Sequence, residues 1–169
     1  NIGGGYGIPY FPGETPLNIQ QIGEALDKEM IRFKHTHPDT EIIIELGRYL
    51  VGEAGLYLCQ VIDKKISRGQ IYLIVNGGLH HHLAASGNFG QVIRKNYPVA
   101  IANKMHSTEM ETVNIVGPLC TPLDILGDKM HLPKAEIGDF IAVYQSGAYG
   151  YTASPHQFLS QPDCVEVIV

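Results

Sequence analysis

Residues 41–48 read Glu-Ile-Ile-Ile-Glu-Leu-Gly-Arg, and this run decides the fold class. Its centre is β-branched and continuously apolar, which is typical of a strand covered on both faces. Over 19–33, apolar residues recur at spacings of three and four, which predicts an amphipathic helix that ends near Lys34. Thr15 followed by Pro16 predicts the start of that helix.

Working outward, the glycine-rich stretch 1–14 is typical of a strand end that runs into a loop, so the first part predicts a strand–helix–strand unit. From Gly47 onward the pattern changes to short strands separated by turns. A boundary between an α/β piece and a β domain is therefore expected near 50–55. The predicted strands are 55–64, 69–75, 97–102, 111–116, 139–145 and 164–169.

Composition excludes several classes of protein. With 44% hydrophobic residues in 169, the chain can bury a core, and 19 Gly with 10 Pro exclude a long coiled coil. A net charge of −5 disfavours a nucleic-acid partner, and no apolar run reaches the ~20 residues of a membrane span. Three widely separated cysteines predict reduced thiols and a cytoplasmic protein. The start at Asn1 suggests a piece of a longer protein.

Two groups near the start of the chain could carry chemistry. Gly3, Gly4 and Gly5 could present backbone N–H groups to a phosphate, although they could equally form a structural turn. Glu45 and Arg48 could hold the two ends of a zwitterionic or phosphorylated ligand. An ordinary surface ion pair is the alternative for these two residues.

Three further candidates lie in the β part. Cys120, within the turn-rich run 117–124, is either a thiol with a tuned pKa or an inert buried thiol. Tyr149 could aim its hydroxyl at an anion or simply pack in the core. The histidine triplet at 80–82 invites a metal hypothesis, but consecutive side chains point different ways and no second ligand cluster is visible. No metal is therefore expected, and His80 or His82 is expected to line a site.

Taken in order, these motifs resemble the fold-type III pyridoxal-phosphate decarboxylases, the ornithine/diaminopimelate/arginine decarboxylase group. Residues 3–5 resemble that family's glycine turn, and 45–48 resemble its Glu-Pro-Gly-Arg motif with Leu in place of Pro. Residues 117–120 resemble its Gly-Pro-x-Cys loop, and 147–149 resemble its Gly-Ala-Tyr. The resemblance covers all of this chain but only the C-terminal part of the family's chain.

The resemblance implies a mixed α/β fold. Residues 1–52 would be a partial β/α barrel segment, the last βα units of a TIM-type barrel. Residues 53–169 would be a mostly antiparallel C-terminal domain, sandwich-like or barrel-like. A complete TIM barrel needs ~250 residues, so this chain can hold only its end.

The resemblance also assigns roles, with pyridoxal 5'-phosphate as the cofactor. The amides of Gly3, Gly4 and Gly5, together with Arg48 and Tyr149, would anchor its phosphate. The Schiff-base lysine would lie outside this chain.

Two more roles follow from the resemblance. The carboxylate of Glu45 would pair with the pyridine nitrogen of the cofactor. Cys120 would return a proton to the α-carbon of the substrate after CO₂ departs. It would do so across the interface of a homodimer with shared active sites.

Substrate contacts are expected from Arg48, Thr121 and Asn76. Relatives that act on basic or diamino acids often carry an acid where this chain has Thr121, and the ornithine branch supplies an Asp where this chain has Gly77. A free distal ammonium is therefore not the expected substrate group. Residues 79–90 look more like a branch linked to exopolysaccharide (exosortase-associated) or carrier-protein pathways.

The expected function is that of a decarboxylase of an amino acid, diaminopimelate-like or carrier-linked, with the isolated chain inactive. One alternative is a non-catalytic dimerisation module. Another is a racemase-like pyridoxal-phosphate enzyme of the same fold type, which a carboxylate at Glu45 disfavours because it strengthens the electron sink that decarboxylation uses.

Overall fold

The computed structural model describes residues 1–11 and 13–169 of the chain. The helices are α1 (Ile19–Thr36) and α2 (Arg48–Val51). The strands are β1 (Tyr57–Ser67), β2 (Gln70–Val75), β3 (Val99–Ile101), β4 (Met110–Val116), β5 (Ile125–Pro133) and β6 (Phe140–Val143). Short 3₁₀ turns occupy Gly52–Ala54, Tyr151–Ala153 and Phe158–Ser160. Within the described residues, no helix is long and apolar enough to cross a lipid bilayer.

Helix α1 forms as its periodicity predicts, but its predicted start at Thr15 is wrong. Asn18 caps the helix instead, because its side-chain oxygen accepts a hydrogen bond from the N–H of Gln21 at 3.0 Å. The helix continues to Thr36, where the N–H of His37 closes the last turn. None of its residues is buried, so its apolar stripe is not packed into the core of the sheet.

Residues 41–45 do not form a regular strand, so the prediction of a strand there is wrong. Two backbone hydrogen bonds nevertheless join this segment to the start of the chain. The N–H of Ile2 donates to the Ile43 carbonyl at 3.0 Å, and the N–H of Glu45 donates to the Gly3 carbonyl at 2.7 Å. Two segments with no third strand beside them gain too little to form a sheet. The pairing still places the glycine turn beside Glu45.

The six strands form one sheet in the order β3-β6-β1-β2-β4-β5. Neighbouring strands are antiparallel except β2 and β4, which are parallel. The two edge strands, β3 and β5, lie against each other, so the sheet is nearly closed like a barrel. The prediction of a mixed α/β chain with a mostly antiparallel β part is confirmed.

The core fills the inside of this sheet. Strand β1 shows the alternation of buried and exposed side chains that forms this core. Tyr57, Cys59 and Val61 are buried, while Leu58 and Ile62 are exposed. Fully burying an aliphatic side chain such as that of Val61 stabilises the fold by roughly 1.5–3 kcal/mol. Apart from alanines, the other aliphatic side chains of this core with no more than 1% exposure are Leu73, Val75, Ile101, Val113, Ile115, Leu126, Ile141 and Val143.

Strand β5 is absent from the sequence-based prediction because Gly127-Asp128-Lys129 has the composition of a turn. In the structure these residues form an irregularity within the β4–β5 pairing. Lys129 adopts φ +49°, and its N–H donates to the side-chain oxygen of Asn114 at 3.0 Å. The predicted strand 164–169 is wrong, since it takes no part in the sheet.

Candidate functional site

Arg48, the first residue of α2, lies between two aromatic rings. Its guanidinium carbon is 4.9 Å from the ring centroid of Tyr10 and 4.9 Å from that of Tyr149. Both contacts are at cation–π distance. The Nε atom of Arg48 is buried and has no hydrogen-bond partner among the described residues. An unpaired buried donor costs about 1–3 kcal/mol, so this position is suited to an acceptor such as an anion.

The segment 146–150, called here the Tyr149 loop, lies on the turn that follows α2. The N–H of Ser146 donates to the Gly55 carbonyl at 2.9 Å, and the N–H of Gly147 donates to the Gly52 carbonyl at 3.0 Å. A side chain at Gly147 would collide with the backbone of Val51, so only glycine allows this approach. These two backbone hydrogen bonds hold the loop where the ring of Tyr149 lies over the guanidinium of Arg48.

The glycine turn and Glu45 form a second group. Gly3 and Gly5 have φ of +77° and +88°, and the space where their side chains would be is open. Asn1 joins the group, because its side-chain nitrogen donates to Oε1 of Glu45 at 2.6 Å and its oxygen accepts from the N–H of Gly3 at 2.7 Å. Glu45 is exposed, and the hydrogen bond from Asn1 orients its carboxylate.

These two groups lie close together because Glu45 and Arg48 are three residues apart, which limits their Cα separation to about 11 Å. Arg48 and Tyr149 offer positive charge and hydrogen-bond donors, and the glycine turn offers an accessible backbone. Such a donor set fits a phosphate. The separate carboxylate of Glu45 fits a protonated ring nitrogen on the same ligand.

Residues 117–124, called here the Cys120 loop, are held by a buried carboxylate. Asp124 is 3% exposed, and its two oxygens accept hydrogen bonds from the N–H groups of Leu79 at 2.7 Å and Leu119 at 2.9 Å. Burial raises the pKa of Asp124, while these two bonds oppose the rise. The thiol of Cys120 is free and exposed.

Of the other two predicted substrate contacts, one lies within this loop and one follows β2. Thr121 accepts a hydrogen bond at its hydroxyl from the N–H of Leu123 at 3.3 Å. Asn76, at the end of β2, is exposed, and its side-chain oxygen accepts from the N–H of Gln60 at 2.8 Å. Within residues 1–11 and 13–169, no hydrogen bond or ion pair joins Cys120, Thr121 or Asn76 to Glu45, Arg48 or Tyr149.

The histidine triplet is buried, and its three members differ in their hydrogen bonding. His80 has no partner for either ring nitrogen within the described residues. His81 contacts the Tyr57 hydroxyl at 3.0 Å, and His82 contacts the Ser146 hydroxyl at 2.9 Å. Burial lowers the pKa of His80 and of His82 to about 4. In the part of the chain that the structure describes, no three His, Cys, Asp or Glu side chains are grouped as a metal site requires.

Sequence reasoning missed the second ring against Arg48. Tyr10 lies 38 residues before Arg48 in sequence, and only the fold of residues 1–11 brings them together. Asp124 ends the turn-rich run 117–124, and the sequence does not predict that its carboxylate holds that loop. A buried carboxylate between two loops has no pattern in one sequence that could reveal it.

Two family models match the chain. Residues 30–147 match the model described as "Pyridoxal-dependent decarboxylase, C-terminal sheet domain". Residues 1–52 match the one described as "Pyridoxal-dependent decarboxylase, pyridoxal binding domain".

Curated relatives point the same way. The L-glutamyl-[BtrI acyl-carrier protein] decarboxylase of Niallia circulans is 42% identical over 99% of this chain and 40% of its own length. The diaminopimelate decarboxylase of Bacillus subtilis (strain 168) is 34% identical over 99% of this chain and 38% of its own length. The chain thus spans about two fifths of the length of these relatives.

Solved structures share the fold. A crystal structure from Aquifex aeolicus superposes with a TM-score of 0.85 at 26% identity, over 99% of this chain and 39% of that chain. The diaminopimelate decarboxylase of M. jannaschii in co-complex with L-lysine gives a TM-score of 0.80 at 26% identity, over 94% of this chain and 35% of that chain.

Proposed function

Because the chain belongs to the pyridoxal-dependent decarboxylase family, we propose that it forms part of an enzyme that decarboxylates an amino acid with pyridoxal 5'-phosphate. The observation that carries the proposal is the guanidinium of Arg48, held between two tyrosine rings with a buried, unpaired Nε. That arrangement fits the phosphate of the cofactor, and no acceptor among the described residues takes its place.

The chain's own residues divide the work of holding the cofactor. The amides of Gly4 and Gly5, the guanidinium of Arg48 and the hydroxyl of Tyr149 would bind the phosphate, while the N–H of Gly3 is engaged by the side chain of Asn1. The carboxylate of Glu45, oriented by Asn1, holds a proton on the pyridine nitrogen. When bound, the cofactor supplies the electron sink for the negative charge that CO₂ leaves on the α-carbon.

Cys120 donates the proton that replaces CO₂, and it acts in the active site of a second copy of the chain. Its exposed thiol supports this assignment, as does the absence, within the described residues, of a hydrogen bond from Cys120 to Glu45, Arg48 or Tyr149. A homodimer with shared active sites follows, in which Thr121 and Asn76 contact the substrate. General acid catalysis of this kind contributes about 10²–10⁴-fold to a rate.

The proposed substrate is a free or carrier-linked amino acid without a free distal ammonium. Gly77 and Thr121 provide no carboxylate for such a group. A side chain at Gly77 would collide with the hydroxyl of Tyr57, so this position is closed to an acid. The 42% identity to a decarboxylase of a carrier-bound glutamyl group supports the carrier-linked form.

The division into a barrel segment, 1–52, and a sheet domain, 53–169, also belongs to this proposal. Helix α1 contributes nothing to the core of the sheet, which supports assigning it to a different structural unit. A cytoplasmic location agrees with three cysteines that are all free.

Substrate turnover by the intact protein tests the function. Purified protein should bind pyridoxal 5'-phosphate and release CO₂ from a free amino acid or from its thioester on a carrier protein. Inversion of the α-carbon without CO₂ would instead identify a racemase. Failure of the intact protein to bind the cofactor would leave the dimerisation module as the function.

Mixing two impaired variants, at a cofactor concentration too low to saturate Arg48→Ala, tests the shared site. Arg48→Ala and Cys120→Ala subunits, combined after mild dissociation, would form hybrid dimers that contain one site with both native residues. Half of the dimers are then hybrids, so we expect about one quarter of the wild-type activity. No recovery of activity would show that each site is built within one chain.

A further inference from the structure

The histidine triplet is not used by the proposed reaction, yet His82 contacts one of the loops on which that reaction depends. Its ring is fully buried, with the edges of Tyr57 and Tyr97 against it. The two ring nitrogens face different groups. Nδ1 accepts a hydrogen bond from the N–H of Ala85 at 3.2 Å, and Nε2 lies 2.9 Å from the hydroxyl oxygen of Ser146.

These two contacts fix the tautomer of His82. Because Nδ1 accepts from a backbone N–H, the proton of the neutral ring is on Nε2, which therefore donates to Ser146. The hydroxyl of Ser146 in turn donates to the Val143 carbonyl at 2.9 Å. Burial lowers the pKa of His82 to about 4, so the ring stays neutral at physiological pH and keeps this arrangement.

The neighbouring residue holds the other end of the same loop. The N–H of Leu83 donates to the hydroxyl of Ser154 at 2.8 Å, and that hydroxyl donates to the carbonyl of Gly150 at 2.6 Å. Gly150 also packs beside the His82 ring. The pair His82 and Leu83 thus fixes both ends of the Tyr149 loop, from Ser146 to Gly150.

Tyr149 depends on this support. It adopts φ +57°, which costs energy for a residue other than glycine and persists only where surrounding contacts impose it. We propose that His82 is a positioning residue for the cofactor phosphate: through Ser146 it holds the Tyr149 loop so that the tyrosine hydroxyl and Arg48 meet the phosphate together. This inference rests on the proposed function, since it assumes that Tyr149 binds that phosphate.

Two substitutions at His82 separate its two hydrogen bonds. In His82→Gln, the amide nitrogen can occupy the place of Nε2 and still donate to Ser146. In His82→Asn, the shorter amide can accept from Ala85 but cannot reach Ser146. Ser146→Ala removes the same bond without changing the buried ring, and His106→Asn, at an exposed histidine, is the matched control.

Binding of two probes to the apo form of the intact protein provides the test. We expect His82→Asn and Ser146→Ala to weaken pyridoxal 5'-phosphate about tenfold, as the loss of one hydrogen bond implies. Their affinity for pyridoxal, which lacks the phosphate, should not change. His82→Gln and His106→Asn should match the wild type for both probes, and the double variant should be no weaker than either single variant.

Four results would overturn the inference. Unchanged phosphate-dependent binding in both His82→Asn and Ser146→Ala would remove the role. An equal loss for both probes, or an equal loss in His82→Gln and His82→Asn, would show that His82 only supports the fold. Failure of the wild type itself to bind pyridoxal 5'-phosphate would overturn the proposed function, and this inference with it.

Discussion

The Tyr149 loop lies against the chain's own turn at Gly52–Ala54, whereas the Cys120 loop turns its thiol to solvent. Both loops are tied to the same short segment, 79–83, but by different chemistry. Neutral His82 donates to the Tyr149 loop, and buried Asp124 accepts the N–H of Leu79 to hold the Cys120 loop.

The difference shows what each loop needs in order to work. The Tyr149 loop places its tyrosine ring against Arg48, whose buried Nε has no hydrogen-bond partner among the described residues. This unpaired donor is suited to a small anionic ligand. The Cys120 loop has its buried polar group satisfied and exposes its thiol, in agreement with the proposed action of Cys120 in the site of a second copy of the chain. Substitutions in the two loops should therefore change different measurements.

The largest difference between the effect on product formation and the effect on cofactor affinity is expected from Cys120→Ala in the intact enzyme. Loss of the proton donor should lower formation of the decarboxylated amine about 100-fold and change the distribution of products. Affinity for pyridoxal 5'-phosphate should stay at the wild-type value. Cys164→Ala, at another free thiol, is the control. An unchanged product distribution would remove the proposed role of Cys120.

Arg48→Ala should change the affinity for the cofactor, which Cys120→Ala leaves at the wild-type value. Removal of a guanidinium that binds the phosphate should weaken cofactor binding about 30-fold, equivalent to about 2 kcal/mol for a lost charge-assisted interaction. Equilibrium titration of the apo protein measures this affinity. Arg68→Ala, at the exposed β1–β2 turn, should bind as the wild type does. Equal affinities for both variants would contradict the assignment of Arg48.

Asp124→Ala tests whether the Cys120 loop is held as the structure indicates. It leaves the N–H groups of Leu79 and Leu119 without acceptors, and relief of the buried charge offsets part of that cost. The free energy of unfolding should fall by about 1–2 kcal/mol. Chemical denaturation measures the change, with Asp27→Ala on the exposed face of α1 as control. A loss no greater than that of the control would show that the carboxylate does not hold the loop.

The smallest effect is a pH dependence carried by His82. Because its pKa falls from 6.5 unfolded to about 4 folded, its contribution to stability is complete above pH 6.5 and declines as the pH falls towards 4. Asp124, with its pKa raised, changes stability in the opposite direction at the acid end. Between pH 7 and 5.5, wild type should lose about 1 kcal/mol more than His82→Gln. Parallel curves for the two proteins would contradict the buried, neutral ring.

Some of the fold could be predicted from sequence because its cause is local. Helix α1 follows from the spacing of apolar residues, and β2 follows from a short apolar run between turns. Strand β5 could not be predicted, because its turn-like residues are held in the sheet by a hydrogen bond from Lys129 to Asn114. Asn114 is 15 residues earlier in the chain. The parallel pairing of β2 with β4 likewise depends on the whole sheet.

The candidate site, like the fold, could be predicted only in part from the sequence. Glu45, Arg48, Cys120 and Tyr149 could be proposed because each lies in a short motif that resembles one in a known family. The contact between Tyr149 and Arg48 could not be read from the sequence. It depends on hydrogen bonds between the Tyr149 loop and residues almost a hundred positions earlier.

The near closure of the sheet affects how two copies of the chain can associate. Strand β3 has only three residues and lies against β5, so over that stretch the two edges face each other and not solvent. Association by extending the sheet from one molecule into the next is therefore disfavoured. The proposed dimer would then form through side chains, and Leu58, Ile62 and Phe140, exposed on β1 and β6, are available for apolar contacts.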